Sequence, residues 1–350
     1  MCITIPQPVE LIGSPPSPYT RKMLALLRYR RIPHRVIWGD PAAVLQERGI
    51  PVPRLAFLPT FIFQDEAGSE VARCDSTPII RELEAAFAER SVIPSDPALA
   101  FIDYLLEDFA DEWCTKYMFH YRWHPEEDAG NAGSLLPLNL KVDMATDDWK
   151  QLKTMITERQ VGRLRYVGSS DETAPVIDAS YRRLLQALEN HLANLPFLLG
   201  RRPGAGDFAL FGHFSQLVGF DPTSRSIAHD LSLRMVAWTS LMEDQSGLEA
   251  GDDDWRAPEE LPESLKGILK EIGRVYVPAL LANASAVQAG EKHWQAEIDG
   301  CEWSQQAFPY QAKCLGWINE EYRALGTDDK ARVDELLSGT GCERMLLPEN

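Results

Sequence analysis

The chain has 350 residues, 45% of them hydrophobic and 25% charged, which is enough for two domains with sizeable cores. Its formal net charge of −17 disfavours nucleic acids and anionic membrane surfaces as partners. No apolar run is long enough to span a membrane, and the first residues lack the pattern of a secretion signal, so we expect a cytoplasmic protein without membrane contacts.

Short apolar strands alternate with helices over residues 9 to about 90, which predicts a mixed sheet flanked by helices. The expected strands are 9–13, 34–38, 60–63 and 70–73, and the expected helices are 19–31, 41–48 and 78–89. The segment 91–97 contains two prolines and no periodicity, and is typical of a linker. We therefore expect one domain over residues 1–92 and another over 97–350.

The proline-rich turn after the first strand leads into a helix that begins with Ser17-Pro18-Tyr19. Serine before proline is typical of an N-cap followed by the first helical residue, and this is the simpler interpretation. The N-terminus of this helix also presents backbone N–H groups without helical partners and the positive end of the helix dipole. It could therefore stabilise an anion such as a thiolate.

Two later motifs also lie where a strand or a helix begins. Leu58-Pro59 opens a strand, where a cis peptide bond would turn a backbone edge toward a ligand. Asp75-Ser76 precedes another helix, and N-capping alone would explain the pair. The two side chains could also hold an amine and a carboxylate together.

From residue 96 onward the pattern is helical. Apolar residues at helical spacing predict one long helix with a single apolar stripe, formed by Phe101, Leu105, Phe109, Trp113 and Tyr117. The other expected elements are helices at 149–166, 181–195 and 208–220, an acidic loop at 243–263, a helix at 265–289 bent at Pro278, a hairpin turning at Asp299-Gly300, and helices at 310–325 and 328–337. The six cysteines are scattered without zinc-site spacing, so we expect reduced thiols and no metal site.

Taken in order, Ser17-Pro18-Tyr19, Leu58-Pro59 and Asp75-Ser76 resemble the motifs of the thioredoxin-like N-terminal domain of glutathione transferases. The segment 195–212 is similar to the start of a buried helix in that family's second domain. The resemblance implies an α/β thioredoxin-like domain followed by an all-helical domain. Gly204 and Gly206 depart from the family's usual Ser or Thr and Ala, so half of a capping box is missing. With an extension from about residue 243, this suggests a divergent serine-type subfamily.

The resemblance also implies that the protein binds glutathione and stabilises its thiolate for attack on a small hydrophobic electrophile. Conjugation, ether or halide cleavage and isomerisation all use this thiolate. Ser17 matches the thiolate donor, and the next candidates are Ser14, Tyr19 and Thr20. The glutathione-binding residues implied are Ser17, Arg54, Leu58, Pro59, Asp75 and Ser76, although an ordinary surface arginine is the commoner explanation of Arg54. The family implies a homodimer.

The electrophile pocket is expected along the long helix after the linker, at the aromatic stretch 117–124, and Tyr19 is expected to contribute to it. Helical spacing places four side chains near one face, namely Lys116, Phe119, His120 and Trp123. Core packing explains this face equally well. His120 could donate a proton to a leaving group, but a single histidine is more often structural.

One alternative to an enzyme is a non-catalytic binding or interaction protein on the same fold. The intact motifs at positions 17, 58–59 and 75–76 favour the enzyme. A thiol-disulfide oxidoreductase is disfavoured because position 17 is not cysteine.

Overall fold

The N-terminal part of the protein is a four-stranded mixed sheet with helices on both sides. The computed structural model describes residues 3–346, so Cys2 lies outside the described residues. The strand order is β2-β1-β3-β4, with β1 and β2 parallel and the other neighbours antiparallel. The predicted thioredoxin-like fold is confirmed; its elements are β1 (Val9–Gly13), α1 (Pro18–Tyr29), β2 (His34–Trp38), α2 (Pro41–Glu47), β3 (Thr60–Gln64), β4 (Glu70–Arg73) and α3 (Ser76–Ala86).

The part after residue 96 is helical, as predicted. Its first eight helices are α4 (Pro97–Glu112), α5 (Cys114–Trp123), α6 (Glu126–Leu140), α7 (Thr146–Val161), α8 (Ala174–Leu192), α9 (Ala205–Leu217), α10 (Pro222–Leu231) and α11 (Leu233–Met242). None of the helices between residues 3 and 346 combines the length and apolar character needed to cross a bilayer.

The extension that follows is mostly helical and carries one β-hairpin. Its elements are α12 (Ser264–Glu271), a π-helical turn (Ile272–Tyr276), α13 (Val277–Ala289), β5 (His293–Ile298), β6 (Cys301–Gln306), α14 (Pro309–Ala324) and α15 (Thr327–Leu337). The predicted turn has the left-handed backbone that a tight hairpin needs, with φ of 54° at Asp299 and 77° at Gly300. The helix predicted over 265–289 is interrupted by the π turn, which ends directly before α13 and two residues before Pro278.

A single helix was expected through residues 101–117, but the structure has two. Helix α4 ends at Glu112, α5 begins at Cys114, and Trp113 lies between them. The Trp113 side chain is fully buried and packs against Trp303 of the hairpin, with 5.5 Å between ring centroids. The apolar stripe itself is buried as predicted. Helix α6 was not expected, since Gly130, Gly133 and Pro137 lower its helix propensity. Gly133 lets α7 approach closely: a Cβ there would lie 2.0 Å from the Thr157 hydroxyl.

Helix α9 forms the centre of the molecule. All but one of its residues are buried, as its apolar sequence predicted. At Gly212 it approaches the first turn of α1 so closely that a Cβ would lie 2.5 Å from the carbonyl oxygen of Pro18. The start of α1 therefore rests directly on α9, and no larger side chain fits between them.

The start of α9 is capped by a side chain from another helix. Gly204 has no side chain to cap with, but Asp103 of α4 accepts hydrogen bonds from the N–H groups of Ala205 (3.1 Å) and Gly206 (3.0 Å). A Cβ on Gly204 would lie 2.3 Å from the Asp103 carboxylate. Asp207 completes the cap by accepting from the N–H of Gly204. Glycine at position 204 thus leaves the space that the substitute cap needs.

Replacing Asp103 with alanine should strongly destabilise the protein, because the buried N–H of Gly206 loses its acceptor and that of Ala205 keeps only the carbonyl of Val92. We expect the free energy of unfolding to fall by about 2–3 kcal/mol, measured by urea denaturation. Asp148→Ala, in the first turn of the exposed helix α7, is the matched control and should cost about 0.5 kcal/mol or less. Equal stability of Asp103→Ala and the control would show that Asp103 is not the cap.

Candidate functional site

The three predicted motifs meet at one edge of the sheet. Strand pairing places Ile12 opposite Thr60 and Phe61 opposite Arg73. Because β3 runs antiparallel to both neighbours, the start of β3 lies beside the ends of β1 and β4. The residues that follow β1, precede β3 and follow β4 therefore share this edge, and they contain Ser17, Leu58-Pro59 and Asp75-Ser76.

Ser17 is the N-cap of α1, as predicted. Its backbone is extended, and its Oγ accepts a hydrogen bond from the N–H of Thr20 at 3.2 Å. A hydroxyl that accepts this bond still has its own hydrogen to donate. Ser17 is partly exposed, whereas Ser14 is buried. Ser17 can therefore donate to an anion at the start of α1.

A buried arginine holds the turn that precedes Ser17. Arg122 of α5 donates to the carbonyl of Pro16 at 2.9 Å and forms two hydrogen bonds with Asp221, at 2.8 and 3.0 Å. It also donates to Gln216 of α9. The sequence pattern predicted no role for Arg122. Its contacts fix the path of the chain into α1.

The Leu58-Pro59 peptide bond is cis. Arg54 lies exposed on the loop before it. The backbone of Leu58 is at the shared edge of the sheet, next to the motifs that follow β1 and β4. The contacts of Leu58, Pro59 and Arg54 with glutathione stay predictions.

Asp75 and Ser76 begin α3 but their side chains bond elsewhere in the protein. Asp75 has φ of 89°, unusual for a residue other than glycine, and makes no capping hydrogen bond. Its Oδ2 accepts from the hydroxyl of Tyr310, in α14 of the extension, at 2.9 Å. Ser76 Oγ accepts from Lys22 Nζ at 3.0 Å. Asp75 therefore occupies the N-cap position of α3, as expected, but its carboxylate is bonded to the extension.

Lys22 lies at the centre of a buried charge cluster below Ser76. Its ammonium donates to Asp111 at 2.6 Å and to Glu107 at 2.8 Å, and both carboxylates come from α4. Burial opposes the charged form of Lys22, but these two carboxylates outweigh it and raise its pKa. This cluster was not predicted from the sequence. Its signal was available, since Asp103, Glu107 and Asp111 recur every four residues along a buried helix.

The side chains predicted to line the electrophile pocket lie in different surroundings. Tyr19 donates to the carbonyl of Asp111 at 2.8 Å and packs edge-on against His213 of α9. Phe119 and Trp123 contact each other and belong to an apolar cluster with α6. Core packing, the alternative, accounts for these contacts of Phe119 and Trp123.

Lys116 and His120 face the hairpin and the loop before α8. Lys116 donates to the carbonyl of Val167 (3.1 Å) and to Gln305 (2.9 Å), and burial lowers its pKa to about 7. His120 bonds to Ser169 at 2.8 Å, and burial lowers its pKa to about 4, so the ring is neutral near pH 7. A shared pocket wall formed by Tyr19, Lys116, Phe119, His120 and Trp123 stays a prediction.

Comparison with protein families gives two matches. The model of the glutathione S-transferase N-terminal domain matches residues 11–91, and the model of the C-terminal domain matches residues 160–243. The chain belongs to the glutathione S-transferase superfamily. The extension beyond residue 243 lies outside both matched regions. No curated protein matches the chain significantly.

Solved structures of the superfamily resemble the chain at low identity. A GST-like protein from Pseudomonas syringae is 15% identical, with 67% of this chain and 66% of that one covered and a TM-score of 0.43. The β-etherase LigF from Sphingobium sp. strain SYK-6 is 18% identical, with 67% and 94% covered and a TM-score of 0.44. A family member from Pseudomonas fluorescens with two glutathione molecules bound is 16% identical, with 67% and 87% covered and a TM-score of 0.39. The superfamily assignment rests on the two domain matches.

Asp108 of α4 lies beneath α14 in this transferase-family chain, and burial raises the pKa of its carboxyl to about 7 although Tyr276 donates to it. The folded protein therefore keeps a proton on Asp108 that the unfolded chain releases near pH ~4. Stability contributed by this group falls as the pH rises between the two values and is lowest above the folded pKa.

The Asp108→Asn variant, which cannot ionise, should consequently gain stability relative to the native protein as the pH rises. We expect its advantage in free energy of unfolding to widen by about 2 kcal/mol between about pH 5 and pH 8. Urea denaturation at both pH values measures this difference. The exposed Asp148→Asn should show no such change. A constant difference for Asp108→Asn would mean that Asp108 is ionised throughout.

Proposed function

We propose that this protein binds glutathione at the shared edge of the sheet and activates its thiol for attack on a small hydrophobic electrophile. The observation that carries the proposal is the meeting of all three motifs at that edge, in a chain with both transferase domains. A solved relative from Pseudomonas fluorescens has two glutathione molecules bound, which is consistent with this ligand. A cytoplasmic location and a homodimer remain predictions.

In this proposal Ser17 donates its hydroxyl hydrogen to the glutathione sulfur. A free thiol has a pKa near ~8.5, so little of it is ionised at neutral pH. A charge-assisted hydrogen bond contributes about 1.5–3 kcal/mol, equivalent to a decrease of about one to two pKa units. The positive end of the α1 dipole acts in the same direction. The proton released by the thiol passes to solvent.

The remaining motif residues would hold the rest of the tripeptide. Asp75 and Ser76 would bind the ammonium and carboxylate of the γ-glutamyl end, and the backbone of Leu58 before Pro59 would bind the cysteinyl part. Arg54, exposed on the adjoining loop, would pair with the glycine carboxylate. Conjugation, ether or halide cleavage, and isomerisation all follow from the same thiolate.

A second candidate function, a non-catalytic binding or interaction protein, is favoured by one observation. The side chains proposed to hold the γ-glutamyl end already have partners within the protein, Tyr310 for Asp75 and Lys22 for Ser76. If glutathione cannot displace these partners, the γ-glutamyl subsite is blocked and the protein would not act on glutathione. Glutathione binding therefore separates the two candidates.

Substituting Ser17 tests the catalytic role. The thiol of glutathione bound to the native protein should titrate about one to two units below its free value, and Ser17→Ala should remove most of this decrease. Calorimetric titration gives the affinity, and ultraviolet absorbance of the thiolate across about pH 6–9 gives the pKa.

Ser14→Ala, which removes a hydroxyl from the same turn, is the matched control and should leave the thiol pKa unchanged. Thermal melting should accompany both variants, since loss of the Ser17 cap costs about 0.5–2 kcal/mol. If the native protein and both variants fail to bind glutathione at millimolar concentration, the non-catalytic candidate is the better one.

A further inference from the structure

The extension places a tyrosine on the carboxylate of Asp75. Tyr310 lies in the first turn of α14, and its hydroxyl donates to Asp75 Oδ2 at 2.9 Å. The Tyr310 ring packs edge-on against Trp317 of the same helix, with 5.9 Å between ring centroids, and is 40% exposed. A residue more than two hundred positions away in sequence thus covers the motif that follows β4.

The start of α14 is fixed independently of this contact. Phe308, the residue before α14, exchanges two hydrogen bonds with the buried side chain of Asn283, at 2.7 and 2.9 Å. Gln311 donates to Glu112 of α4 at 3.2 Å. The backbone of α14 therefore stays in place if the Tyr310 hydroxyl leaves Asp75, and rotation of one exposed side chain is sufficient to free the carboxylate.

The surroundings of Asp75 are suited to a cation. Burial raises its pKa, and the hydrogen bond from Tyr310 and the charge of Lys22 act in the opposite direction. Lys22 itself is already paired with Glu107 and Asp111. An ammonium group forms a stronger hydrogen bond to a carboxylate than a neutral hydroxyl does. A ligand ammonium that reaches Asp75 would therefore displace the Tyr310 hydroxyl.

We propose that Tyr310 competes with the γ-glutamyl ammonium of glutathione for Asp75, so that the extension sets the affinity of this subsite and glutathione must displace the hydroxyl to bind. The inference rests on the proposed function, because it concerns the same ligand. Tyr310 acts here by occupying the acceptor that the ligand needs, so it opposes binding. The Lys22 bond to Ser76 lies deeper and does not involve the extension.

Tyr310→Phe tests the competition, because it removes the hydroxyl and keeps the ring beside Trp317. Calorimetric titration should show glutathione binding about three- to tenfold more tightly to this variant than to the native protein. Tyr322→Phe is the matched control: it removes a hydroxyl from the same helix, where Tyr322 donates to Asp334, and should leave the affinity unchanged.

A glutathione analogue whose γ-glutamyl group lacks the amine, glutaryl-cysteinylglycine, identifies the group that competes. Its affinity should be the same for the native protein and Tyr310→Phe, because it has no ammonium to place on Asp75. Equal tightening of both ligands would overturn the proposal, since Tyr310 would then act as a general cover.

These titrations distinguish failure of the Tyr310 competition from failure of the proposed glutathione binding. Unchanged or weaker binding of glutathione to Tyr310→Phe, with clear binding to the native protein, overturns the competition alone. Binding to Tyr310→Phe with none to the native protein supports the competition strongly. Absence of binding to the native protein and to both variants overturns the competition together with the proposed function.

Discussion

The close contact between α9 and the first turn of α1 is the constraint on which the candidate site depends. Gly212 allows the Pro18 carbonyl to approach α9, and the turn just before it is held by Arg122, which donates to the carbonyl of Pro16, and by Gln216, which donates to that of Pro15. Ser17 lies between these contacts, so its position is set by the helical domain as much as by its own strand. The start of α9 is in turn held by Asp103 of α4. One chain of buried contacts thus links the two matched domains.

Helix α4 carries four buried carboxyl groups, and each of them bonds to a partner outside α4. Asp103 caps α9, Glu107 and Asp111 pair with Lys22, and Asp108 accepts from Tyr276 of the extension. Leaving any of these buried groups without its partner would lower the stability of the fold, because water cannot replace the lost hydrogen bond. The extension thus bonds to α4 through Tyr276 and to the edge of the sheet through Tyr310, which donates to Asp75.

The sequence predicted the domain folds and much of their element order because local signals were strong. Ser17-Pro18 marked a helix start, Asp299-Gly300 marked a hairpin turn, and the apolar sequence of α9 marked a buried helix. The same approach failed at α6, whose glycines and proline are poor helix formers and which is stabilised by packing on α7. It also missed the break at Trp113, because a tryptophan fits the apolar stripe whether or not the helix continues.

By itself the sequence determined the order of the three motifs and the thioredoxin-like sheet that places them at one edge, since strand pattern and turn residues are local properties. Only the tertiary structure decided what those motifs contact. Asp75 and Ser76 read as a helix cap, yet their side chains bond to Tyr310 and Lys22. The missing cap at Gly204 is supplied by Asp103, about a hundred residues earlier in the chain. Such partners are fixed by packing between distant segments, which no local pattern encodes.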